Sequence, residues 1–229
     1  GRVTSFEALA RWTNERGQAI SPVDFIPVAE EAGLIVPLGR WAINQAARTL
    51  AGWDAARGGN CGVNVAVNLS AIQLQRDNVA EVVKQALSDH GLDGRRLTLE
   101  LTESAIVADP DGASLTIRAL KDLGTTLAMD DFGTGYSNLA YLQRLPLDVL
   151  KIDRSFVSGM LADRDKVAIV RAILGLAQAL GMQTTAEGIE TPELAQTLTA
   201  LGCGYGQGYL YSRPLPADQA LRLLSSLNA

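Results

Sequence analysis

The sequence predicts an α/β fold, a TIM-like (β/α)₈ barrel of parallel strands joined by crossover helices. Short β-branched runs alternate with longer segments of helical period along the chain, which is typical of parallel strands with a helix between each pair. The polar residues of the predicted strands also gather at their C-terminal ends, where such barrels place their functional groups. At 229 residues, 47% of them hydrophobic, the chain suits one large domain with a sizeable core.

The β-branched runs supply seven candidate strands, one fewer than a closed (β/α)₈ barrel requires. They are Val3–Leu9, Val63–Leu69, Arg96–Leu101, Thr125–Asp130, Asp148–Ile152, Gln183–Ala186 and a weaker one near Cys203–Tyr205. The chain opens on Gly1-Arg2 directly before the first candidate. We therefore expect an N-terminal strand to be missing.

The helical segments between these strands have recognisable ends. Ser21 and Thr191 are each followed by a proline, which is the pattern of an N-cap residue with proline in the first helical position. Gly91, Gly124 and Gly181 stand where helix C-terminal caps are expected.

Composition excludes several classes of function. No apolar segment approaches the roughly 20 residues of a membrane span, and the N-terminus lacks a signal-peptide layout, so we expect a soluble chain without membrane contact. Cys61 and Cys203 lack metal-type spacing, which argues against zinc and disulfides and favours a reducing, cytoplasmic setting. A net charge of −5 without a basic run argues against duplex nucleic acid as a partner.

Strand parity brings six polar side chains to one end of the predicted barrel. Because alternate residues of a strand face the same way, the valines of Val63–Leu69 point to the helices and Asn68 points inward at the strand end. A single polar residue at a strand end has an ordinary structural explanation, whereas six converging ends favour a site. The six residues are Glu7, Asn68, Glu100, Asp130, Lys151 and Glu187.

The predicted site calls for a metal ion, because carboxylates at close range repel one another unless cations neutralise them. Its donors are oxygen atoms and one lysine. The single histidine, His90, precedes Gly91 at a predicted helix end, where interaction with the helix dipole explains it better than catalysis. Oxygen-only sites suit magnesium, manganese or calcium rather than zinc or copper.

The segment Asp130–Ser137 places two adjacent carboxylates after an apolar run and before a glycine-hinged loop. Aspartate and glycine also cluster in ordinary turns, but the partners at the other strand ends favour the metal site. Both aspartates cannot face inward from a regular strand. We therefore expect the strand to end at Asp130 and Asp131 to project from the loop, an arrangement that suits two metals.

These residues resemble the EAL-domain family of cyclic di-GMP phosphodiesterases over nearly the whole chain. The motifs occur in order along the sequence. They are Glu7-Ala8-Leu9 with Arg11-Trp12, Val67-Asn68-Leu69-Ser70, Glu100-Leu101-Thr102-Glu103, the Asp130–Ser137 loop, Lys151-Ile152-Asp153, Ala186-Glu187-Gly188-Ile189-Glu190 and Gln207-Gly208-Tyr209. The resemblance identifies residues 1–229 as an N-terminally incomplete EAL domain, a TIM-like barrel whose antiparallel first strand is missing from this chain.

The resemblance implies hydrolysis of cyclic di-GMP to linear pGpG by water activated between two divalent cations, magnesium or manganese, with calcium inhibiting. One cation would be bound by Glu7, Asn68, Glu100 and Asp130, and the other by Asp130, Asp131 and Glu187. Lys151 would hold the water or phosphate oxygens, oriented by Asp153.

Further roles also follow from the resemblance alone. Leu9, Arg11, Asn68 and Gln207 would contact the nucleotide; Arg11 suits phosphate and Gln207 a guanine or ribose. Glu103 would anchor the loop over residues 131–137, and Glu190 would support the ligands. The chain departs from the family at Ala10, where a packing change is expected, and in lacking a Tyr-Gln-Pro-Ile type strand, which could weaken nucleotide binding.

Three other functions compete with this interpretation. A lysine Schiff-base aldolase would use Lys151, yet neighbouring carboxylates favour its charged form. A catalytically silent cyclic di-GMP sensor or scaffold remains the main alternative, although every expected ligand is present. A structural interaction domain leaves the converging carboxylates unexplained.

The segment Asp163–Leu180 has apolar residues at helical spacing, which core packing mostly explains. The resemblance implies that this region also forms a homodimer. It further allows fusion to sensory or GGDEF-type domains in a longer protein, which could be anchored in a membrane through other segments.

Overall fold

The computed structural model describes residues 2–133 and 139–227 and contains a curled, parallel sheet of seven strands with helices packed on its outer face. In spatial order its strands are β1 (Ser5–Ala8), β4 (Asn64–Leu69), β5 (Leu97–Thr102), β6 (Thr126–Phe132), β7 (Val149–Ile152), β8 (Gln183–Ala186) and β9 (Tyr205–Gly206). The labels β2 and β3 belong to a separate hairpin described below. All seven predicted strands are confirmed: Gln183–Ala186 has the predicted bounds, and the bounds of the other six differ by at most two residues.

Each pairing in this sheet is parallel, as the alternation of strand and helix predicts. The sheet ends with β1 at one edge and β9 at the other, and within residues 2–133 and 139–227 no strand joins these edges. The sheet nevertheless curls far enough for Gln207, just after β9, to donate a hydrogen bond to Glu7 on β1. The architecture is thus an open TIM-like barrel, and we call the gap between β1 and β9 the seam.

The helices follow the strands as crossover connections. They are α1 (Pro22–Glu31), α2 (Ile35–Ala56), α3 (Ala71–Arg76), α4 (Val79–His90), α5 (Glu103–Ala108), α6 (Pro110–Asp122), α7 (Leu139–Arg144), α8 (Arg154–Val157), α9 (Arg164–Ala179), α10 (Pro192–Ala200) and α11 (Ala217–Leu227), with 3₁₀ turns at Gly94–Arg96 and Met160–Ala162. None of them, in the part of the chain described, has the length and apolarity needed to cross a membrane.

The predicted helix ends agree with the structure to within one residue: the C-caps of α6 and α9 are Leu123 and Leu180, and the predicted Gly124 and Gly181 come directly after them. Ser21 is the N-cap of α1, and Thr191 caps α10 with its hydroxyl accepting from Leu194 N at 3.3 Å. Gly91 is the C-cap of α4 in the left-handed conformation, directly after His90. The position of His90 in the last turn of α4 matches its expected place beside the helix dipole.

The core lies between the sheet and the helices. Leu97, Leu99 and Leu101 of β5 are fully buried there, as are the valines of β4, so the predicted parity is confirmed. Helix α9 presents the expected apolar stripe, with Val170, Ile173, Leu174 and Ala177 buried. The opposite face of the sheet is left for the polar residues.

One element escaped prediction. The antiparallel hairpin of β2 (Trp12–Thr13) and β3 (Ala19–Ile20) follows β1. The ring of Trp12 packs edge-on against Phe25 of α1 with the ring centroids 5.8 Å apart, within the usual range for such aromatic pairs. Two-residue strands leave too short a pattern for sequence periodicity to detect.

Candidate metal centre

Lys151 lies at the centre of a group of carboxylates at the C-terminal end of the sheet. Its Nζ is 2.7 Å from Glu187 Oε1, 2.9 Å from Glu100 Oε1 and 3.0 Å from Asp130 Oδ1. Glu7 Oε2 lies farther away, at 3.9 Å. The Lys151 side chain is 3% exposed, so these charges interact in a largely dry space. We use the name acidic cluster for Glu7, Glu100, Asp130, Asp131 and Glu187.

Register and parity explain why these residues meet. In the parallel sheet Asn68 pairs with Glu100, and Thr102 with Asp130, so neighbouring strands end at similar heights. Glu100 alternates with the buried leucines of β5 and therefore points to the concave side. Lys151 does the same between Leu150 and Ile152 on β7.

The prediction that the strand ends at Asp130 is wrong. Strand β6 continues to Phe132, and its register with β7 shifts between Met129 and Phe132. Asp131 has φ 53°, a left-handed conformation that is uncommon outside glycine and that aspartate tolerates better than most residues. The added residue forms a bulge, so Asp131 changes direction inside the strand and both carboxylates stay near the site.

Burial and neighbouring charge change the acidity of the cluster. Burial raises the pKa of Glu100 to about 8; attraction to Lys151 partly opposes this, while Glu7 and Asp130 add to it. Burial also raises the pKa of Glu187 and of Asp131, with repulsion from Asp130 contributing to both. Each shift means that the cluster favours an added proton or cation.

The same charges keep Lys151 an ammonium. Burial by itself would lower the pKa of Lys151, but attraction to Glu100, Glu7, Glu187 and Asp130 outweighs it and raises the pKa. A Schiff-base mechanism needs the neutral amine. The structure therefore gives Lys151 the properties of a fixed cation and hydrogen-bond donor.

Two amides hold Glu7 in place. Asn68 Nδ2 donates to Oε1 at 2.8 Å, and Gln207 Nε2 donates to Oε2 at 2.7 Å. The family resemblance implies that Gln207 contacts a guanine or ribose and gives no sign of its hydrogen bond to Glu7. No local pattern could reveal it, because the two residues are 200 positions apart.

The donor set fits a divalent cation. Ligand atoms of Asp130, Asp131 and Glu187 all lie within 4.8 Å of one another. Glu100 Oε2 is buried, and no residue in the described ranges offers it a hydrogen bond, which leaves this oxygen available to a cation. Carboxylate and amide oxygens without histidine or cysteine suit magnesium, manganese or calcium.

The other residues to which the sequence analysis gave catalytic or supporting roles are Asp153, Glu103 and Glu190, and their environments differ. Asp153 Oδ1 accepts from Ser155 N at 3.0 Å as the N-cap of α8, and its charge contributes to the raised pKa of Asp131. Glu103 is buried at the start of α5, directly after β5. Residues 134–138 of the loop that it was predicted to anchor lie outside the described residues. Glu190 is exposed, three residues after Glu187.

Leu9 and Arg11 follow the C-terminal end of β1, the strand that carries Glu7. Leu9 is 44% exposed, which is high for a leucine. The Arg11 guanidinium is exposed, and its hydrogen bond within the described residues goes to the adjacent Ala10 carbonyl at 2.9 Å. Both side chains are thus exposed to solvent just beyond the C-terminal end of β1.

The chain is similar in sequence to a known domain family and to characterised members of it. The family model of the EAL domain matches residues 1–214 of the chain. The bifunctional diguanylate cyclase/cyclic di-GMP phosphodiesterase MucR of Pseudomonas aeruginosa is 42% identical over 221 residues, which cover 96% of this chain and 32% of MucR. The cyclic di-GMP phosphodiesterase PdeR of Escherichia coli K12 is 41% identical over 217 residues, 95% of this chain and 32% of PdeR.

A solved structure matches at the level of the whole fold. The MucR phosphodiesterase in a c-di-GMP complex superimposes with a TM-score of 0.87 at 43% identity, covering 93% of this chain and 86% of that one. The chain spans only about a third of the length of the curated relatives it matches.

Proposed function

Since this chain belongs to the EAL-domain family, we propose that it is a metal-dependent phosphodiesterase that hydrolyses cyclic di-GMP to linear pGpG. The observation that supports this most is the acidic cluster around Lys151, a buried oxygen-donor site at the C-terminal end of a parallel barrel. The activity named for MucR and PdeR, and the nucleotide bound to the MucR phosphodiesterase, support the substrate.

The proposed cofactors are two divalent cations, magnesium or manganese. Asp130 and Asp131 would be shared or adjacent ligands, because the bulge in β6 keeps both carboxylates at the site. When bound, such cations lower the pKa of water and stabilise negative charge on phosphate oxygens. The full assignment is Glu7, Asn68, Glu100 and Asp130 for one cation and Asp130, Asp131 and Glu187 for the other.

The reaction breaks one phosphodiester bond. A water oxygen forms a bond to phosphorus, the bond from phosphorus to the ribose 3′ oxygen breaks, and that oxygen takes up a proton to become a hydroxyl. Lys151 would donate hydrogen bonds to the water or to a phosphate oxygen, because its ammonium lies within 3.0 Å of three carboxylates but makes no well-aligned hydrogen bond to the described residues. Its positive charge would also stabilise the negative charge that develops in the transition state.

Residues at the mouth would bind the nucleotide. Arg11 is free to contact a phosphate, and the exposed Leu9 offers an apolar surface beside it. Asp153, held by the start of α8, lies near enough to orient groups at Asp131. Glu103 would stabilise the segment after Phe132, and Glu190 would support the ligand loop that begins at Glu187.

The test is a cyclic di-GMP hydrolysis assay with magnesium, manganese and calcium. Magnesium or manganese should give pGpG, whereas calcium should bind but support little turnover because its looser coordination misplaces the water. Glu7→Ala and Asp130→Ala should abolish hydrolysis, while Glu31→Ala, an exposed carboxylate on α1, should not. Nucleotide binding without pGpG in either metal would favour the silent sensor instead.

We also propose a homodimer that involves α9. The outer face of this helix has a shallow groove of about 430 Å³ lined by Arg164, Val167, Ala168, Arg171 and Ala172, and Ile169 beside it is 41% exposed. Light scattering at high protein concentration tests this proposal, and a monomeric mass would contradict it. Fusion to GGDEF-type or sensory domains is proposed from the greater length of the relatives.

A further inference from the structure

Glu7 depends on side-chain contacts more than the other members of the acidic cluster do. It lies on β1, an edge strand that pairs only with β4 among the described strands. Its Oε2 is 3.9 Å from Lys151 Nζ, whereas Glu100, Asp130 and Glu187 have oxygens at 2.7 to 3.0 Å. The lysine therefore fixes Glu7 less firmly than its neighbours, and other groups must set the orientation of its carboxylate.

The amides of Asn68 and Gln207 provide that orientation. They donate to different oxygens of Glu7, at 2.8 Å and 2.7 Å, and hydrogen bonds to a charged acceptor are the stronger kind. Asn68 approaches from β4, on one side of β1. Gln207 approaches from across the seam, where no backbone hydrogen bonds join the described strands. Each carboxylate oxygen keeps a second lone pair for a cation.

Gln207 is exposed, but its backbone is held on both sides. Its N–H donates to Ala186 O at 2.8 Å, and its carbonyl accepts from Ile189 N at 3.0 Å. These bonds tie Gln207 to the residues that flank Glu187. Because its backbone is already ordered by these bonds, Gln207 can link Glu7 to the opposite edge of the sheet at little further cost in backbone entropy.

The next residue shows how closely this segment is packed. A Cβ atom at Gly208 would lie 2.1 Å from the carbonyl oxygen of Ile189 and 2.3 Å from its nitrogen. Only glycine allows the chain to approach Ile189 this closely. The backbone position of Gln207 is thus held by contacts within the fold.

We propose that Gln207 is a positioning residue for Glu7: its amide holds the carboxylate across the seam, in the orientation in which Glu7 binds a divalent cation. This inference rests on the proposed function, because it takes Glu7 to be a metal ligand. It differs from the role expected by resemblance, in which Gln207 contacts a guanine or ribose. The two roles predict different effects on metal affinity and on KM.

Gln207→Met tests the inference, since methionine has a similar length but cannot donate to Glu7. Gln183→Met is the matched control, because Gln183 is exposed at the opposite end of the sheet, at the start of β8. Calorimetry with Mn²⁺ should show about tenfold weaker binding for Gln207→Met, the usual effect of losing a residue that orients a ligand. The control should bind as the wild type does.

Kinetics at saturating Mn²⁺ separate positioning from substrate contact. We expect KM for cyclic di-GMP to stay within about twofold in Gln207→Met, since the affected group orients a metal ligand. A raised KM with unchanged Mn²⁺ affinity would overturn the inference and restore the substrate role. Gln207→Asn, one methylene too short to reach Glu7, should weaken Mn²⁺ binding in the same way and serves if the methionine variant folds poorly.

A double-mutant cycle completes the test. In a Glu7→Gln background, Gln207→Met should cause little further loss of Mn²⁺ affinity, because the two residues act as a unit. Additive losses would contradict the inference. If wild-type protein binds Mn²⁺ and forms pGpG but Gln207→Met binds equally well, only this inference fails. If the wild type binds no Mn²⁺, the proposed function fails with it.

Discussion

Glu100→Gln should make the metal-free protein more stable at alkaline pH while weakening its metal site. Glu100 is 4% exposed, and its Oε1 contacts Lys151 at 2.9 Å while its Oε2 has no hydrogen bond from the described residues. Glutamine has nearly the same shape and keeps an oxygen for Lys151. It resembles the protonated acid, which is the form that burial favours.

The size of the expected change in unfolding free energy follows from the pKa of Glu100, which rises from 4.5 to about 8 on folding. A raised carboxyl pKa contributes stability that is fully present below the unfolded pKa and is lost as pH rises through the folded pKa. At about 1.4 kcal/mol for each pH unit between these values, the loss from acid to pH 8 is roughly 4 kcal/mol. Most of it, roughly 3 to 4 kcal/mol, falls between about pH 5 and about pH 8.

Urea unfolding with a chelator, near both ends of that pH range, measures this effect. The stability of Glu100→Gln relative to wild type should increase by about 3 kcal/mol toward the alkaline end. The exposed Glu31→Gln on α1 is the control and should show no such change. With Mn²⁺ at about 100 times its Kd, wild type should gain about 2.7 kcal/mol, and the variant less. A pH-independent difference between variant and wild type would refute the reasoning.

Two further predictions concern the backbone at the site and the opposite end of the sheet. Asp131→Asn and Asp131→Val should both lose metal-dependent activity. Only the valine variant should also lose ~1–2 kcal/mol of unfolding free energy, because Asp131 has φ 53° and a β-branched side chain is strained in that conformation. Equal unfolding free energies of the two variants in urea would contradict the bulge. Arg96→Met should lower the unfolding free energy by about 3–5 kcal/mol. Buried Arg96 donates to Asp54 through two nitrogens at 2.9 Å each and to Val63 O at 2.8 Å. The kcat of the folded variant should be unchanged, and a loss of activity larger than the loss of folded protein would count against a purely structural role.

Much of the fold could be predicted because two periodicities in the sequence are strong. The buried leucines of β5 alternate with polar residues, and the buried valines of β4 alternate with Asn64, Ala66 and Asn68. This alternation sets the face of each strand and therefore the direction of Glu100 and Asn68. Parallel strands then bring their C-terminal ends together. The convergence of the predicted ligands follows from these two facts.

The details that escaped prediction depend on three-dimensional contacts. The bulge at Asp131 requires a register shift against β7, and register is not visible in the sequence of a single strand. The bond from Gln207 to Glu7 depends on how far the sheet curls. Burial determines the acidity of Glu100, and the sequence shows only that a carboxylate lies at a strand end.

The charges of the site bear on the number of cations. The acidic cluster has five carboxylates, and Lys151 neutralises one of their charges. Asp153 is separate, since its carboxylate caps α8. Four remaining negative charges close together in a partly buried space are costly, and a proton on Glu100 removes only one of them. A single divalent cation would leave two. Two divalent cations balance the cluster with Lys151 still charged and Glu100 ionised, which supports the two-cation proposal over a single metal.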